Sequence, residues 1–264
     1  MNFRIRLARN IVRLGDFIAS LAIMVMRPQD LVEFTRQDYG TDSYVSCYAR
    51  EGFVEQGLTR EETLLLEKLP LTSGRLLVMG MGGGRDAIAL ARLGFQVVGT
   101  DFIPAMVERA LENAGQAGVE LEGVVQDFSD LRLPPASFDA AVLFAGMYSS
   151  VPTRHRRIAM LRRVREVLKP GGYFVCQFFY QKDPNPRRGA EWARKALALL
   201  TWGNFTYERG DTLFGNRDFY HYFIGEEEVA REFAAAGLKV VALEINPTRN
   251  FSGAVLQAPE PGSR

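Results

Sequence analysis

Three alternate glycines stand where an apolar run gives way to a helical pattern. Gly80, Gly82 and Gly84 follow the run Leu76 to Met79, and the helical pattern begins at Arg85. Glycine lets the backbone turn sharply and lets a ligand approach without meeting a Cβ atom. The following helix N-terminus offers free N–H groups to a carboxylate or a phosphate. The spacing indicates a ligand-binding loop, although a purely structural turn has the same composition.

The glycine spacing also separates two classes of cofactor site. A dinucleotide-binding loop has the pattern G-x-G-x-x-G, which would require glycine at position 85. This chain has Arg85 there. The sequence therefore disfavours nicotinamide or flavin binding.

The glycine loop resembles motif I of class I methyltransferases that use S-adenosylmethionine (SAM), whose pattern is G-x-G-x-G. Two strand-end carboxylates and one turn fall where that family places them. The matching positions are Gly80, Gly82, Gly84, Asp101, Asp127 and the turn Leu168 to Gly172. The resemblance covers about residues 57–257 and implies SAM as the cofactor of a methyl transfer. Each carboxylate alone is equally compatible with an ordinary strand end, and only the combination is specific.

The resemblance assigns a role to each of these side chains. Asp101 would accept hydrogen bonds from the ribose hydroxyls. Asp127 would accept one from the adenine amino group, Phe128 would pack on the ring, and the loop Phe144 to Tyr148 would face the methionine portion. The predicted cofactor-binding residues are Gly80, Gly82, Gly84, Asp101, Phe102, Asp127, Phe128, Phe144 and Ala145.

One position departs from the family pattern. Members usually carry an acidic residue two positions before the first glycine, where it helps to hold the cofactor's amino group. This chain has Val78 there. Another residue or a main-chain carbonyl must take that role.

Residues that could serve the methyl acceptor are few. The chain has two histidines, and His155 stands among arginines, which is typical of a solvated helix face. His221 is the better candidate for a general base, because a neutral imidazole accepts protons near neutral pH, although a histidine among aromatic residues is often structural. Tyr148 is a second catalytic candidate. The predicted substrate-contacting residues are Tyr220, Tyr222 and Tyr44.

Hydrophobic periodicity places these residues on an α/β framework. The predicted strands are 75–80, 96–101, 119–127, 138–144, 173–179, 238–245 and 252–257, and the predicted core helices are 85–93, 104–117, 153–168 and 226–236. This alternation predicts a doubly wound, seven-stranded and mostly parallel sheet. The final strand is expected to be antiparallel, because only a short turn, Pro247 to Asn250, precedes it.

The remaining segments flank or interrupt this domain. Residues 1–56 are expected to form an N-terminal helical cap, and a capping box at Thr59 and Glu62 begins the helix that follows. Residues 181–225 are too many for an ordinary loop and are predicted to form a substrate lid that includes a helix over 190–200. Residues 258–264 are expected to be a disordered tail.

Residues 1–26 combine arginines with the apolar run Phe17 to Met26. Such a helix can pack over a site or lie on an anionic membrane. The run is half the length needed to span a bilayer, and no small-residue cleavage site follows it, which disfavours a signal peptide. A cytoplasmic protein, in peripheral contact with a membrane if the second alternative holds, is expected.

Composition excludes several functions. The 32 basic and 31 acidic residues give a net charge of +1, so no overall field favours nucleic acid. Clusters of Cys and His with metal-ligand spacing are absent, and no metal site is predicted. The two cysteines cannot form the disulfide framework of a small secreted domain. The oligomeric state is left open.

The sequence therefore predicts transfer of a methyl group from SAM to a small-molecule or lipid-like acceptor through oxygen, nitrogen or carbon. Three alternatives stay open. They are a SAM-binding module without catalysis, a lipid methyltransferase at a membrane surface, and a nicotinamide-dependent oxidoreductase.

Overall fold

A central sheet forms where the apolar runs of the sequence become strands. The computed structural model describes residues 3–39, 41–48, 50–181, 191–215, 218–246 and 251–260. The strands of this sheet are β1 (Gly74–Met79), β2 (Phe95–Asp101), β3 (Glu122–Val125), β4 (Phe138–Leu143), β5 (Leu168–Phe178), β8 (Lys239–Glu244) and β9 (Ser252–Gln257). They lie in the order β3-β2-β1-β4-β5-β9-β8.

The first five strands are parallel, and β9 is antiparallel to both of its neighbours, β5 and β8. The predicted doubly wound, mostly parallel sheet with an antiparallel final strand is confirmed. The turn predicted at 247–250 lies outside the described residues. Strand β3 is shorter than predicted because the N–H of Val119 donates to the carbonyl of Ala114 and so ends a helix instead of extending the sheet.

Helices precede, follow and connect these strands. Their bounds are α1 (Phe3–Val25), α2 (Pro28–Tyr39), α3 (Asp42–Tyr48), α4 (Glu51–Val54), α5 (Arg60–Leu66), α6 (Arg85–Arg92), α7 (Pro104–Gln116), α8 (Arg154–Val167), α9 (Glu191–Thr201) and α10 (Glu226–Ala235). Short 3₁₀ helices span Phe128–Asp130 and Met147–Ser150. The capping box at Thr59 and Glu62 is formed at the start of α5.

The sheet carries one apolar cluster on each face, as alternation along buried strands requires. Leu77 of β1 belongs to the cluster that includes Val164 of α8, whereas its neighbour Leu76 belongs to the cluster that includes Leu90 of α6. All four side chains are fully buried. The two-sided core fixes the carboxyl ends of the parallel strands as one rigid edge.

Residues 181–225, which were predicted to form a substrate lid, contain a β-hairpin that hydrophobic periodicity did not predict. Strands β6 (Asp211–Phe214) and β7 (Asp218–His221) pair as an antiparallel hairpin. The predicted helix of this segment is present as α9, and residues 182–190 and 216–217 lie outside the described residues.

The tail predicted at residues 258–264 begins with an ordered residue. Ala258, expected to be part of a disordered tail, is buried, and its N–H donates to the carbonyl of Gly172. Residues 261–264 lie outside the described residues.

Candidate functional site

The glycine loop connects β1 to α6 and has positive φ at each predicted glycine. Gly82 has φ of +52°, and a Cβ built on it would meet no heavy atom within 4 Å, so it borders open space. At Gly84, a built Cβ would lie 3.3 Å from Ala110 and from Ile88. Gly84 therefore permits close packing of α6 and does not line the cavity described below.

Asp101 ends β2 and joins that strand to the glycine loop. Its carboxylate accepts a hydrogen bond from the N–H of Gly82 at 3.0 Å and another from the N–H of Ile103 at 3.0 Å. Burial raises the pKa of Asp101, and these hydrogen bonds oppose the shift. The loop and the strand-end carboxylate thus form one preorganised unit.

A cavity of about 340 Å³ lies at the carboxyl ends of the parallel strands, the edge where doubly wound folds bind ligands. It is lined by residues that follow β1, β2, β4 and β5 and by residues of the helices and the hairpin. Of the predicted residues, Gly80, Gly82, Asp101, Phe102, Phe128, Phe144, Ala145 and Tyr220 line it.

Asp127 lies beside this cavity, in a smaller one of about 60 Å³ that α2 covers. Its carboxylate accepts hydrogen bonds from the N–H of Ser129 at 2.8 Å and from the guanidinium of Arg36 at 3.1 Å. The Arg36 guanidinium also lies 4.9 Å from the centre of the Phe102 ring. The N-terminal helices therefore contact the predicted adenine-binding residues directly.

Aromatic side chains form one wall of the larger cavity. Phe179 follows β5, and its ring lies 4.6 Å from the ring of Tyr220 and 5.2 Å from that of Phe251. The ring of Tyr222 lies 5.0 Å from Phe179 but is not part of the lining. The side chain of Tyr44 lies outside the described residues.

His221 does not face the cavity, which corrects the prediction that it acts there as a base. The side chain is fully buried, and its Nδ1 lies 2.8 Å from the carboxylate of Asp211. Burial disfavours the charged imidazolium, but the hydrogen bond to Asp211 and the nearby carboxylate of Glu228, 3.5 Å from Nε2, outweigh this and raise the pKa of His221. A histidine held between two carboxylates, away from the cavity, is a structural ion-pairing group.

Tyr148 is likewise buried and outside the lining, so its predicted catalytic role does not fit the geometry. Its hydroxyl donates to Glu232 at 2.6 Å, and its ring stacks on Phe223. Glu232 also accepts from the fully buried Arg157 at 2.7 Å. Tyr148 therefore belongs to a buried polar network behind the site.

Glu208, Asp211 and His221 place one potential ligand atom each within 4.8 Å of one another. Such spacing could suit a metal ion. However, the Arg157 guanidinium already donates to Glu208 at 2.7 Å. Within this cluster Glu208 is therefore the counter-ion of Arg157, and Asp211 pairs with His221.

Several polar residues of the site were not predicted from the sequence, among them Asp86 and Arg36. Asp86, in the first turn of α6, lines the larger cavity, and Arg36 lies against Asp127. The position of Asp86 could have suggested its place in the site, because it lies two residues after Gly84, in the first turn of the helix that follows the glycine loop. The position of Arg36 could not, because it is distant in sequence from every strand of the sheet.

Comparison with known proteins agrees with this geometry. Residues 76–172 match the family sequence model described as a methyltransferase domain. The demethylmenaquinone methyltransferase of Clavibacter sepedonicus is 37% identical over 131 residues, which are 49% of this chain and 51% of that protein. The ubiquinone biosynthesis O-methyltransferase of Cereibacter sphaeroides is 34% identical over 145 residues, which are 52% of this chain and 56% of that protein. The chain thus spans about half the length of the curated relatives it matches.

The fold extends the similarity beyond these segments. The structure of 1,6-didemethyltoxoflavin-N1-methyltransferase from Burkholderia thailandensis, with 1,6-didemethyltoxoflavin and S-adenosylhomocysteine bound, superposes with a TM-score of 0.61 at 18% identity. The match covers 88% of this chain and 91% of that one. Residues 76–172 thus resemble a methyltransferase domain, and the chain shares the Rossmann-like fold of the SAM-dependent methyltransferase structures it superposes on.

Proposed function

We propose that this protein transfers the methyl group of SAM to a small apolar acceptor that contains a ring. One observation carries the proposal: a single cavity joins the glycine loop and Asp101 to the aromatic wall formed by Phe179, Tyr220 and Phe251. The first part suits a nucleoside-containing cofactor, and the second suits an apolar acceptor. Methyl transfer requires both in one water-poor space.

The residues present fit the cofactor. The open space at Gly82 is a cradle that a side chain would fill, and the buried Asp101 carboxylate is an acceptor for ribose hydroxyls. Phe102 and Phe128 would enclose the adenine ring beside Asp127. When bound, SAM would supply a methyl group on a sulfonium: the acceptor would form a bond to the methyl carbon as the carbon–sulfur bond breaks in line, and S-adenosylhomocysteine would leave as the neutral thioether.

Two features favour an aromatic or quinone-like acceptor. The wall residues are aromatic, and rings prefer offset or edge contacts with other rings. The similar proteins named above act, by their names, on demethylmenaquinone or in ubiquinone biosynthesis. Because His221 is outside the cavity, a carbon nucleophile or an already ionised oxygen fits better than an acceptor that needs a histidine base.

Transfer of a radioactive methyl group from SAM to a panel of quinols, phenols and heteroaromatic amines with short tails tests the proposal. Extraction of labelled product from at least one ring class supports it. Binding of SAM by calorimetry without transfer to any acceptor would favour a non-catalytic SAM-binding module. Binding of NADH in place of SAM would favour the oxidoreductase alternative.

The first prediction concerns Asp101. Asp101→Ala is expected to weaken binding of S-adenosylhomocysteine by about 10- to 150-fold, because charge-assisted hydrogen bonds worth about 1.5 to 3 kcal/mol are lost. Isothermal titration calorimetry measures the change. Asp130→Ala, which removes an exposed carboxylate outside the cavity lining, should leave the affinity unchanged. Equal affinity of Asp101→Ala and the unaltered protein would refute the ribose assignment.

The proposed function includes contact with a membrane through α1, the end of α9 and the segment that follows it. Phe3, Leu7, Ile11, Leu14 and Ile18 recur at the spacing of one helical face and are between 49% and 68% exposed. This stripe is therefore turned to solvent instead of to the core. In globular proteins the apolar face of an amphipathic helix is normally the buried one.

The C-terminal end of α1 attaches this stripe to the domain. Ile23 and Met24 are buried, and the N–H of Asn204 donates to the carbonyl of Met24 at 2.8 Å. Next to this contact, Trp202 and Phe205 are exposed. These two aromatic side chains, with the exposed Leu199 and Leu200 of α9, extend the apolar surface beyond α1.

The charge on α1 favours an anionic lipid surface as the proposed partner. Arg4, Arg6, Arg9 and Arg13 are exposed on the same helix as the apolar stripe. Basic side chains beside an apolar face suit an interfacial helix on anionic lipids. None of the described helices has the length and apolarity needed to cross a bilayer.

Vesicle co-sedimentation measures this contact. The full chain is expected to bind vesicles of phosphatidylcholine and phosphatidylserine at low salt and to release at high salt. The double variant Leu7→Glu and Ile11→Glu should lower binding by at least about 10-fold, because its charges would enter the apolar layer. Leu93→Glu, which alters an exposed leucine after α6, is the control and should bind normally. Absence of binding, or dimerisation through this surface in ultracentrifugation, would overturn the membrane contact.

A further inference from the structure

The domain lacks a carboxylate at the position where its family usually places one for the cofactor's amino group. That position holds Val78, which is fully buried in the apolar cluster of α6 and α7 and is not part of the cavity lining. A bound SAM carries a positively charged α-ammonium group, so the site needs an acceptor from another element. The cavity offers one within the first turn of α6.

Asp86 provides a carboxylate at that place. It lies two residues after Gly84, lines the cavity together with Gly82 and Gly83, and is only 7% exposed. Its Oδ1 accepts the N–H of Ala87 at 3.0 Å. The carboxylate is therefore held at the glycine loop, and it borders the cavity.

The adjacent cation does not neutralise Asp86. The guanidinium of Arg85 donates to both carboxylate oxygens of Glu62, at 2.7 and 2.8 Å. Arg85 and Glu62 thus form a closed bidentate pair. Burial raises the pKa of Asp86 to about 6, and the attraction of Arg85 only partly opposes this shift.

A buried carboxylate with incomplete charge compensation is stabilised by a ligand cation. An ammonium group offers three N–H donors, and hydrogen bonds between two charged groups are the strong ones. The N-terminus of α6 suits the carboxylate of the same amino-acid moiety, because helix N-termini favour anions. The two ends of a methionine moiety therefore have complementary partners at one helix terminus.

We propose that Asp86 binds the α-ammonium group of the cofactor's methionine moiety, in the role that Val78 cannot fill. This inference rests on the proposed use of SAM and adds the group that recognises its amino-acid end. It predicts that Asp86 matters only for ligands that carry this end.

Two ligands that differ in the amino-acid moiety test the assignment by calorimetry. Asp86→Asn is expected to weaken the binding of S-adenosylhomocysteine by about 10- to 100-fold, since a charge-assisted contact is lost. The same variant should bind 5′-methylthioadenosine, which lacks the amino-acid moiety, within about twofold of the unaltered protein. Unchanged binding of the shorter ligand also shows that the variant is folded.

The pH dependence gives a second readout. Because the pKa of Asp86 is raised to about 6, the carboxylate is neutral below that pH, and S-adenosylhomocysteine affinity should fall as pH decreases from 7 to 5. Asp101 also has a raised pKa and affects both ligands. Arg85 and Glu62, the other charged groups that act on Asp86, form their own pair. The two ligands should therefore differ in how their affinity depends on pH, and this difference reports the titration of Asp86. Asp86→Asn should abolish it.

Asp218→Asn is the matched control, since Asp218 is a further carboxylate of the cavity lining, besides Asp86 and Asp101, and belongs to β7. Asp218→Asn should weaken the binding of S-adenosylhomocysteine much less than Asp86→Asn does. Equal loss in both variants, equal loss for both ligands, or full retention of S-adenosylhomocysteine by Asp86→Asn would overturn the inference while leaving the proposed function intact. Failure of the unaltered protein to bind either ligand would instead overturn the proposed function, and the inference with it.

Discussion

Gly82→Val is expected to abolish cofactor binding, with at least about a 10²-fold loss of affinity for S-adenosylhomocysteine, while the fold survives. Gly82 has φ of +52°, and a built Cβ meets no atom within 4 Å. The valine side chain would therefore enter the cavity and not the core. A branched side chain at positive φ also strains the turn by about 1 to 3 kcal/mol, and the N–H of Gly82 that donates to Asp101 would shift.

Gly94→Val is the matched control for this strain. Gly94 follows α6 with φ of +99°, has open space around a built Cβ, and is outside the candidate cofactor cavity. Both variants should lose similar stability in thermal unfolding, but only Gly82→Val should lose binding in calorimetry. Normal affinity in Gly82→Val would mean that the loop is only a structural turn.

Arg157→Met is expected to lower the free energy of unfolding by about 3 to 5 kcal/mol. Arg157 is fully buried in α8 and donates to Glu232 of α10 at 2.7 and 3.0 Å and to Glu208 at 2.7 Å. Removal of one partner leaves a buried carboxylate uncompensated, which costs far more than the intact pair contributes. Urea unfolding measures the loss.

The double variant Arg157→Met and Glu232→Gln separates this mechanism from simple loss of packing. It removes the uncompensated charge and should recover part of the stability lost in the single variant. Arg157 is outside the cavity lining, so S-adenosylhomocysteine affinity below the unfolding temperature should be nearly unchanged. A double variant less stable than Arg157→Met would show that charge compensation is not the cause.

Much of the fold and part of the candidate site could be predicted from local patterns. A buried strand that runs into Gly80, Gly82 and Gly84 has few structural interpretations, and Asp101 must stand at the same sheet edge because it ends the adjacent strand. Such positions depend on the order of elements along the chain and on the parallel sheet it implies. Tertiary contacts only refine them.

The N-terminal helix shows a different limit. Its amphipathic pattern is visible in the sequence, but periodicity does not say which face the domain covers. The structure buries Ile23 and Met24 and leaves Leu7 and Ile11 exposed. Packing against the rest of the chain made that choice, and with it the surface proposed for lipid contact.

The catalytic assignments depended on side-chain direction, which the sequence alone did not determine. Successive residues of a strand point to opposite faces, so in β7 Tyr220 lines the cavity while His221 is buried beside Asp211. Nothing in the aromatic run Phe219 to Phe223 distinguishes these two directions. The sequence by itself determined the sheet, the glycine loop and the strand-end carboxylate Asp101. Only the tertiary structure decided that Asp86 faces the cavity and His221 does not, because that depends on how α6 and the hairpin pack on the sheet.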